Sequence, residues 1–225
     1  MDVFEAVASR YSCRAFLPTP VAEATVRDIV ERAARAPSGG NLQPWRVDAL
    51  AGARLEALRA IARSRFDELP RFEGAEYDIY PQALKEPYES RRQRAGVMLY
   101  QSVGVTREDR PGRYRQYARN YLFYDAPVGL FFSIDRCMGS PQWSDLGGYI
   151  QTVMLLARNY GLDACAQEAW THLHKTLYAF LKLSPEYIIF CGMALGYADE
   201  NAPINSWRAP RAPLEDYASF SGFES

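Results

Sequence analysis

Cysteine is scarce in this 225-residue sequence, and none of it is paired. Cys13, Cys137, Cys165 and Cys191 lie far apart with no CxxC spacing, which excludes a zinc knuckle and a disulfide framework and fits a reducing, cytoplasmic location. There are two histidines, His172 and His174. Two positions apart on an expected helix, they face different directions, so they form no metal pair and read as structural or surface residues. No apolar run is long enough to span a bilayer, and the acidic start Met1 to Glu5 lacks the pattern of a signal peptide. Charge of one sign is missing too: 26 Lys and Arg balance 27 Asp and Glu, leaving no field that favours nucleic acid or an anionic membrane. Without GxSxG there is no hydrolase nucleophile elbow, and without GxGxxG no ordinary dinucleotide fold.

What is present reads as a single domain over residues 1–225. Residues 2–10 are expected to form a short helix that leads into a strand-like Arg10 to Phe16. Residues 22–35 form a second helix, with Val26, Ile29, Val30, Ala33 and Ala34 on one face. A strand over Arg46 to Leu50 and a helix over Ala53 to Arg65 follow. Residues 66–124 mix charges with many aromatics and read as a variable lid insertion over a pocket, with helices near 81–103 and 112–121. Pro127 to Ile134 is a strand buried on both faces. Ser140 is expected to cap a central helix over 141–160 that Gly161 ends. Asp163 to Gln167, a helix near His172 to Leu183 and a strand over Tyr187 to Tyr197 complete the core. Gly192, Ala194 and Gly196 share one face of that last strand, flat enough for a helix to approach. Residues 201–225, rich in Pro and Arg, have no core pattern and read as a C-terminal arm that wraps a partner subunit.

Two early segments carry the chemistry. Arg10, Ser12 and Arg14 stand at alternate positions, so in an extended chain they project from one face roughly 7 Å apart. That spacing suits a shallow, elongated ligand with a phosphate at one end and an electron-rich ring at the other. Pro37-Ser38-Gly39-Gly40-Asn41, followed by Gln43-Pro44-Trp45, is a small, polar turn that lets backbone approach such a ligand closely. Together they point to a flavin mononucleotide. Taken singly, Arg10 and Arg14 would be ordinary surface ion-pair residues, Ser38-Gly39-Gly40 a helix-stop loop, Glu168 a solvated acid and Trp170 a core aromatic.

Two further blocks, Gly161-Leu162-Asp163-Ala164-Cys165-Ala166-Gln167-Glu168-Ala169-Trp170 and Arg208 with Arg211-Ala212-Pro213-Leu214-Glu215, follow in order. On these four blocks the chain resembles the FMN-dependent nitroreductase family from Phe4 to about Tyr217. The resemblance implies an α+β fold, a mixed sheet flanked by helices, in an intertwined homodimer with FMN at the subunit interface. It implies that Arg10, Ser12, Arg208 and Arg211 hold the phosphate, where charge-assisted bonds are the stronger kind. Arg14 would reach the N1 edge of the ring. Pro37, Ser38, Gly39, Asn41 and Gln43 would contact the FMN largely from the other subunit, and Gln167, Glu168 and Ala169 would lie beside the ring, with Arg14 and Glu168 as the catalytic pair. The implied activity is ping-pong transfer of electrons from NADH or NADPH to a small planar acceptor such as a nitroaromatic or a quinone. The insertion before Pro127, rather than after the strand it begins, departs from the family pattern and leaves the acceptor open. Dehalogenation, enoate reduction, flavin fragmentation and passive flavin binding remain as alternatives.

Overall fold

The computed structural model describes residues 1–223; Glu224 and Ser225, the end of the expected arm, lie outside the described residues. Its centre is a four-stranded sheet in the order β1 (Arg46–Ala51), β2 (Val128–Asp135), β4 (Tyr187–Gly196) and β3 (Asp163–Gln167). All three ladders are antiparallel. The sheet becomes mixed at the β3 edge, where Ser12 makes a parallel bridge to Ala164. Residues 10–16, read as a strand, are thus an extended segment held by that bridge and by a second one between Phe16 and Ala198.

The pairing of β2 with β4 slips at Phe132 and Ser133: Phe132 faces Cys191 and Ser133 faces Ile189, leaving Phe190 as an extra residue. Because side chains alternate in a strand, one extra residue swaps the two faces beyond it. Ile188, Cys191, Met193 and Leu195 therefore share one core with Leu130, Phe132 and Ile134, whereas Ile189 and Ala194 join Phe131 on the opposite side. The first core is covered by α2 (Glu23–Ala33) and α6 (Ser140–Asn159). The second is covered by α3 (Gly52–Arg63), α7 (His174–Leu181) and 3-10 turns over Arg119–Asp125 and Glu168–Leu173.

Helix α2 buries Val26, Ile29 and Ala33, three of the five residues that define its apolar stripe. In α6 the buried set is Leu146, Tyr149, Ile150, Val153 and Ala157, each large aliphatic contributing about 1.5–3 kcal/mol. Met154, Leu155 and Leu156 are only half-buried, so the helix is covered on one side rather than all round. Its N-cap is Gly139, not Ser140: Gln142 Oε1 accepts from the Gly139 N–H at 3.2 Å. Gly161 ends the turn at φ +69°, as its freedom in the left-handed region allows.

The close approach at Gly192 is made by a side chain, not by a helix. A Cβ at Gly192 would stand 2.5 Å from Trp170 Cδ1, and one at Gly196 would meet Pro127 and Phe16. Trp170 is fully buried and packs on Phe123, Phe131 and Tyr121, so the missing side chain at 192 sets the position of the Glu168–Leu173 turn.

Residues 66–124 hold α4 (Tyr88–Ser102) and α5 (Arg110–Ala118), shorter than the expected helices because a loop extends to Pro87 and a 3-10 turn takes over at Arg119. The turn contains three consecutive left-handed residues, Phe123, Tyr124 and Asp125, at a cost of roughly 1–2 kcal/mol each. The start of this stretch is tied down by Glu73, which accepts from the Lys175 N–H at 2.7 Å and the Thr176 N–H at 3.2 Å. Tyr77 donates to the carbonyl of Phe190, the bulged residue. No described helix is long and apolar enough to cross a membrane.

Gly192→Ala should destabilise the protein by about 1–3 kcal/mol by pushing Trp170 out of its seat. A denaturant midpoint equal to that of the unmodified chain would contradict this packing.

Candidate active site

The C-terminal block reaches the N-terminal one through Asn205. This buried amide accepts from the Arg14 N–H at 2.8 Å and donates to the Ala15 carbonyl at 2.8 Å and the Asp199 carbonyl at 2.9 Å. It closes a loop of 190 residues between the ends of the chain. Sequence reasoning missed Asn205; its only signal was a polar residue in an otherwise unpatterned tail.

Around that clamp stand four guanidinium groups. Arg208 lies over the Tyr11 ring at 3.7 Å and donates to the carbonyls of Asn205 and Trp207. Arg211 donates to Ala209 and Pro210. Burial, and then the neighbouring charge of Arg211, pull the Arg10 pKa below its ordinary value. Among the described residues none of Arg10, Arg14, Arg208 and Arg211 is paired with a carboxylate within ion-pair distance. The nearby acid, Asp163, is taken by Arg158 at 2.6 Å. Like charges brought together without a counter-ion raise the energy of the empty fold, and an anion relieves it.

Beside this cluster opens a cavity of about 740 Å³. Arg14, Cys165, Gln167, Glu168 and Ala169 line it, together with Tyr77, Tyr80, Tyr100, Tyr117 and Tyr124 from residues 66–124. The Ser12 hydroxyl reaches Cys165, whose thiol is pushed up by burial. Burial would lower the Arg14 pKa, but the neighbouring Cys165 and Tyr124 leave it above the ordinary value, and its guanidinium donates to the Ser12 carbonyl at 3.1 Å. Tyr124 in turn donates to Asn120 Oδ1 at 2.6 Å, and the Asn120 carbonyl accepts from Gln167 Nε2 at 2.7 Å. Burial pushes the Glu168 carboxyl up, so it holds a proton more readily than an exposed acid.

His172, read above as structural or surface, instead lines this cavity, half-buried and with Nδ1 unpaired. Burial and then His174 lower its pKa, which favours the neutral ring. His174 faces away and binds the Gly74 carbonyl at 3.0 Å. Tyr124 and Asn120 were also missed as individual residues, because the placement of Tyr124 depends on the left-handed turn at 123–125, which no residue type there advertises.

The Pro37 to Gln43 segment is elsewhere. Gly39 N–H donates to Asp145 Oδ2 at 3.1 Å and Ser38 Oγ accepts from the Gln43 N–H at 3.0 Å. Pro37, Gly39, Asn41 and Gln43 are exposed and Ser38 half-buried; Gly40, Asn41 and Gln43 have positive φ. Asp145 lies near the start of α6, whereas Arg158, near its end, bonds Ser9 and Asp163. Thirteen helical residues separate the two, roughly 20 Å at 1.5 Å per residue. One chain therefore brings together Arg10, Ser12, Arg14, Gln167, Glu168, Ala169, Arg208 and Arg211, and leaves the loop at the other end of α6.

These residues fit the FMN that the resemblance implies. The unpaired guanidiniums suit a phosphate dianion, the cavity suits a flat ring, and Gln167 Oε1 is buried with no partner, an acceptor left for a ring N–H.

A profile of the nitroreductase family matches residues 7–197. The chain belongs to the nitroreductase family. It is 38% identical over 224 residues to a 4-nitrobenzoate reductase of Pseudomonas putida, covering 99% of this chain and 97% of that protein. Among solved structures it resembles the FMN- and NADPH-dependent nitroreductase NfnB of Sphigopyxis sp. strain HMH at 43% identity and TM-score 0.95, covering 99% of this chain and 100% of that one. It also resembles NfnB of Mycobacterium smegmatis, solved in complex with NADPH, at 28% identity and TM-score 0.92, with 97% of each chain covered.

In the ligand-free protein, sulfate at about ten times its dissociation constant should add about 1.4 kcal/mol, raising the thermal midpoint by roughly 3–6 °C. Arg10→Ala should lose most of that response. Equal responses in the two proteins would contradict an anion site at Arg10.

Proposed function

We propose that this chain is an FMN-dependent oxidoreductase of nitroreductase type that takes electrons from NADPH or NADH and delivers them, by a ping-pong mechanism, to a small nitroaromatic or quinone. The observation that carries the reading is the cluster of unpaired guanidiniums beside an aromatic-lined cavity. The names of the related proteins agree with it.

Arg10, Arg208 and Arg211, with the Ser12 hydroxyl, hold the phosphate end. Arg14, kept charged and held by its bond to the Ser12 carbonyl, supplies a positive charge at the ring edge, where negative charge develops on reduction. Held by these residues, FMN would supply the redox chemistry that links the nicotinamide to the acceptor. Gln167 offers its free Oε1 to the ring, and the backbone at Glu168 and Ala169 lies alongside. The Glu168 carboxyl, able to retain a proton in its buried setting, is placed to give or take a proton in the cavity. Lid tyrosines exclude water and stack the planar acceptor.

The active form is a homodimer in which the loop 37–43 of a second copy completes each site, because one chain leaves that loop roughly 20 Å away along α6. Val3, Phe4 and Val7 on α1 (Val3–Ser9), Leu42 in the loop, and Tyr217, Phe220 and Phe223 in the arm are all exposed in the single chain. This apolar surface suits burial against a partner, with residues 201–225 wrapping it and 66–124 serving as the lid. The four free cysteines fit a reducing cytoplasm.

The purified protein should be yellow, bleach on anaerobic addition of NADPH or NADH, and regain its colour when a nitroaromatic is added. A colourless protein that stays inactive with added FMN would contradict the reading.

A further inference from the structure

The cavity that Arg14 lines carries a second cation that the cofactor chemistry leaves unused. Arg92, on α4, lines the cavity from the lid side. Its guanidinium lies over the Tyr80 ring at 4.0 Å, which holds one face and leaves the N–H edges free. Its neighbours are engaged: Arg91 pairs with Asp216, Arg119 with Asp125 and Arg65 with Glu68 and Glu73. Among the described residues Arg92 has no carboxylate within ion-pair distance, although the exposed Asp78 shares the same cavity.

The surrounding charge has the same sense. Residues 85–119, which include both lid helices, contain nine Lys and Arg against four Asp and Glu, whereas the whole chain carries a net charge of −1. Residues 66–124 as a whole are nearly balanced, ten Lys and Arg against nine Asp and Glu, so the positive charge that attracts anions is local to the two helices. The acid on the inner wall, Glu168, opposes this field weakly, since burial favours its neutral form.

The geometry points to an anionic aromatic as the acceptor, a nitro-substituted benzoate in class, whose ring lies among the lid tyrosines while Arg92 receives its carboxylate. This rests on the nitroreductase reading and assigns its substrate class and its specificity-determining residue. An aromatic acid placed so presents one end to Arg92 within the same cavity that Arg14 and Glu168 line. Bidentate pairing of a guanidinium with a carboxylate fixes orientation as well as adding affinity.

The test uses the FMN-loaded enzyme, with 4-nitrobenzoate and its methyl ester as acceptors and NADPH or NADH as reductant. Arg92→Gln should lower the ratio of kcat/KM for acid over ester roughly 10- to 100-fold, and Arg92→Glu should invert the preference. The dissociation constant of benzoate, read from its perturbation of the visible flavin spectrum, should rise by a similar factor. A ratio unchanged within about two-fold would overturn the assignment. So would a change confined to the KM of NADPH relative to NADH, which would mean that Arg92 reads the extra phosphate of the reductant. If the unmodified protein holds no flavin and reduces neither compound, the nitroreductase reading fails and takes this one with it. If it reduces both with no effect of Arg92, only this inference fails.

Discussion

The site depends on positive charges held together by a neutral clamp. Asn205 spends its side chain on backbone groups of Arg14, Ala15 and Asp199, so residues 14–15 and 205 cannot separate without exposing buried donors and acceptors. Arg10, Arg14, Arg208 and Arg211 are carried into one neighbourhood as a result. No carboxylate is supplied to neutralise them, and the acid within reach, Asp163, is already engaged by Arg158. The fold tolerates this because three of the four are partly solvated or lie over backbone carbonyls and a tyrosine ring. A bound dianion converts that residual repulsion into attraction, which makes the empty and loaded proteins differ in stability as well as in activity.

A second constraint places the ring end. The extra residue Phe190 swaps the faces of β4, so that Gly192 rather than a larger side chain meets Trp170. Trp170 then anchors the turn that begins with Glu168, and Tyr121 of the lid packs edge-on against it while donating to the Ala169 carbonyl at 3.0 Å. The bulge also leaves the Phe190 carbonyl for Tyr77. One irregularity in the sheet thus bears on both the Glu168–Leu173 turn and Tyr77, each of which contributes to the cavity lining.

Much of this was legible in the sequence. The apolar stripe of α2, the doubly buried β2 and the alternate Arg10, Ser12 and Arg14 all depend on local periodicity, which a linear sequence displays directly. The parallel bridge at Ser12 shows why that segment looked like a strand. What escaped notice was long-range or irregular. Asn205 acts on residues 190 positions away, the slip at Phe190 leaves no compositional mark, and Tyr124 faces Arg14 through three left-handed residues that are not glycine. His172 was placed by helical periodicity, but residues 168–173 form a 3-10 turn, and the different twist carries the ring into the cavity. The loop 37–43 was read as belonging to the same ligand, yet within one chain it lies at the other end of α6 from the guanidiniums.

The central claim is that the guanidinium cluster binds the phosphate rather than merely lying near the ring. Comparing the dissociation constants of FMN and riboflavin for the apoprotein tests it most directly, since the two differ only in that group. The account predicts that riboflavin binds at least about 100-fold more weakly, a difference of ~2.7 kcal/mol, and that the gap narrows as ionic strength rises. Equal affinities for the two would contradict it.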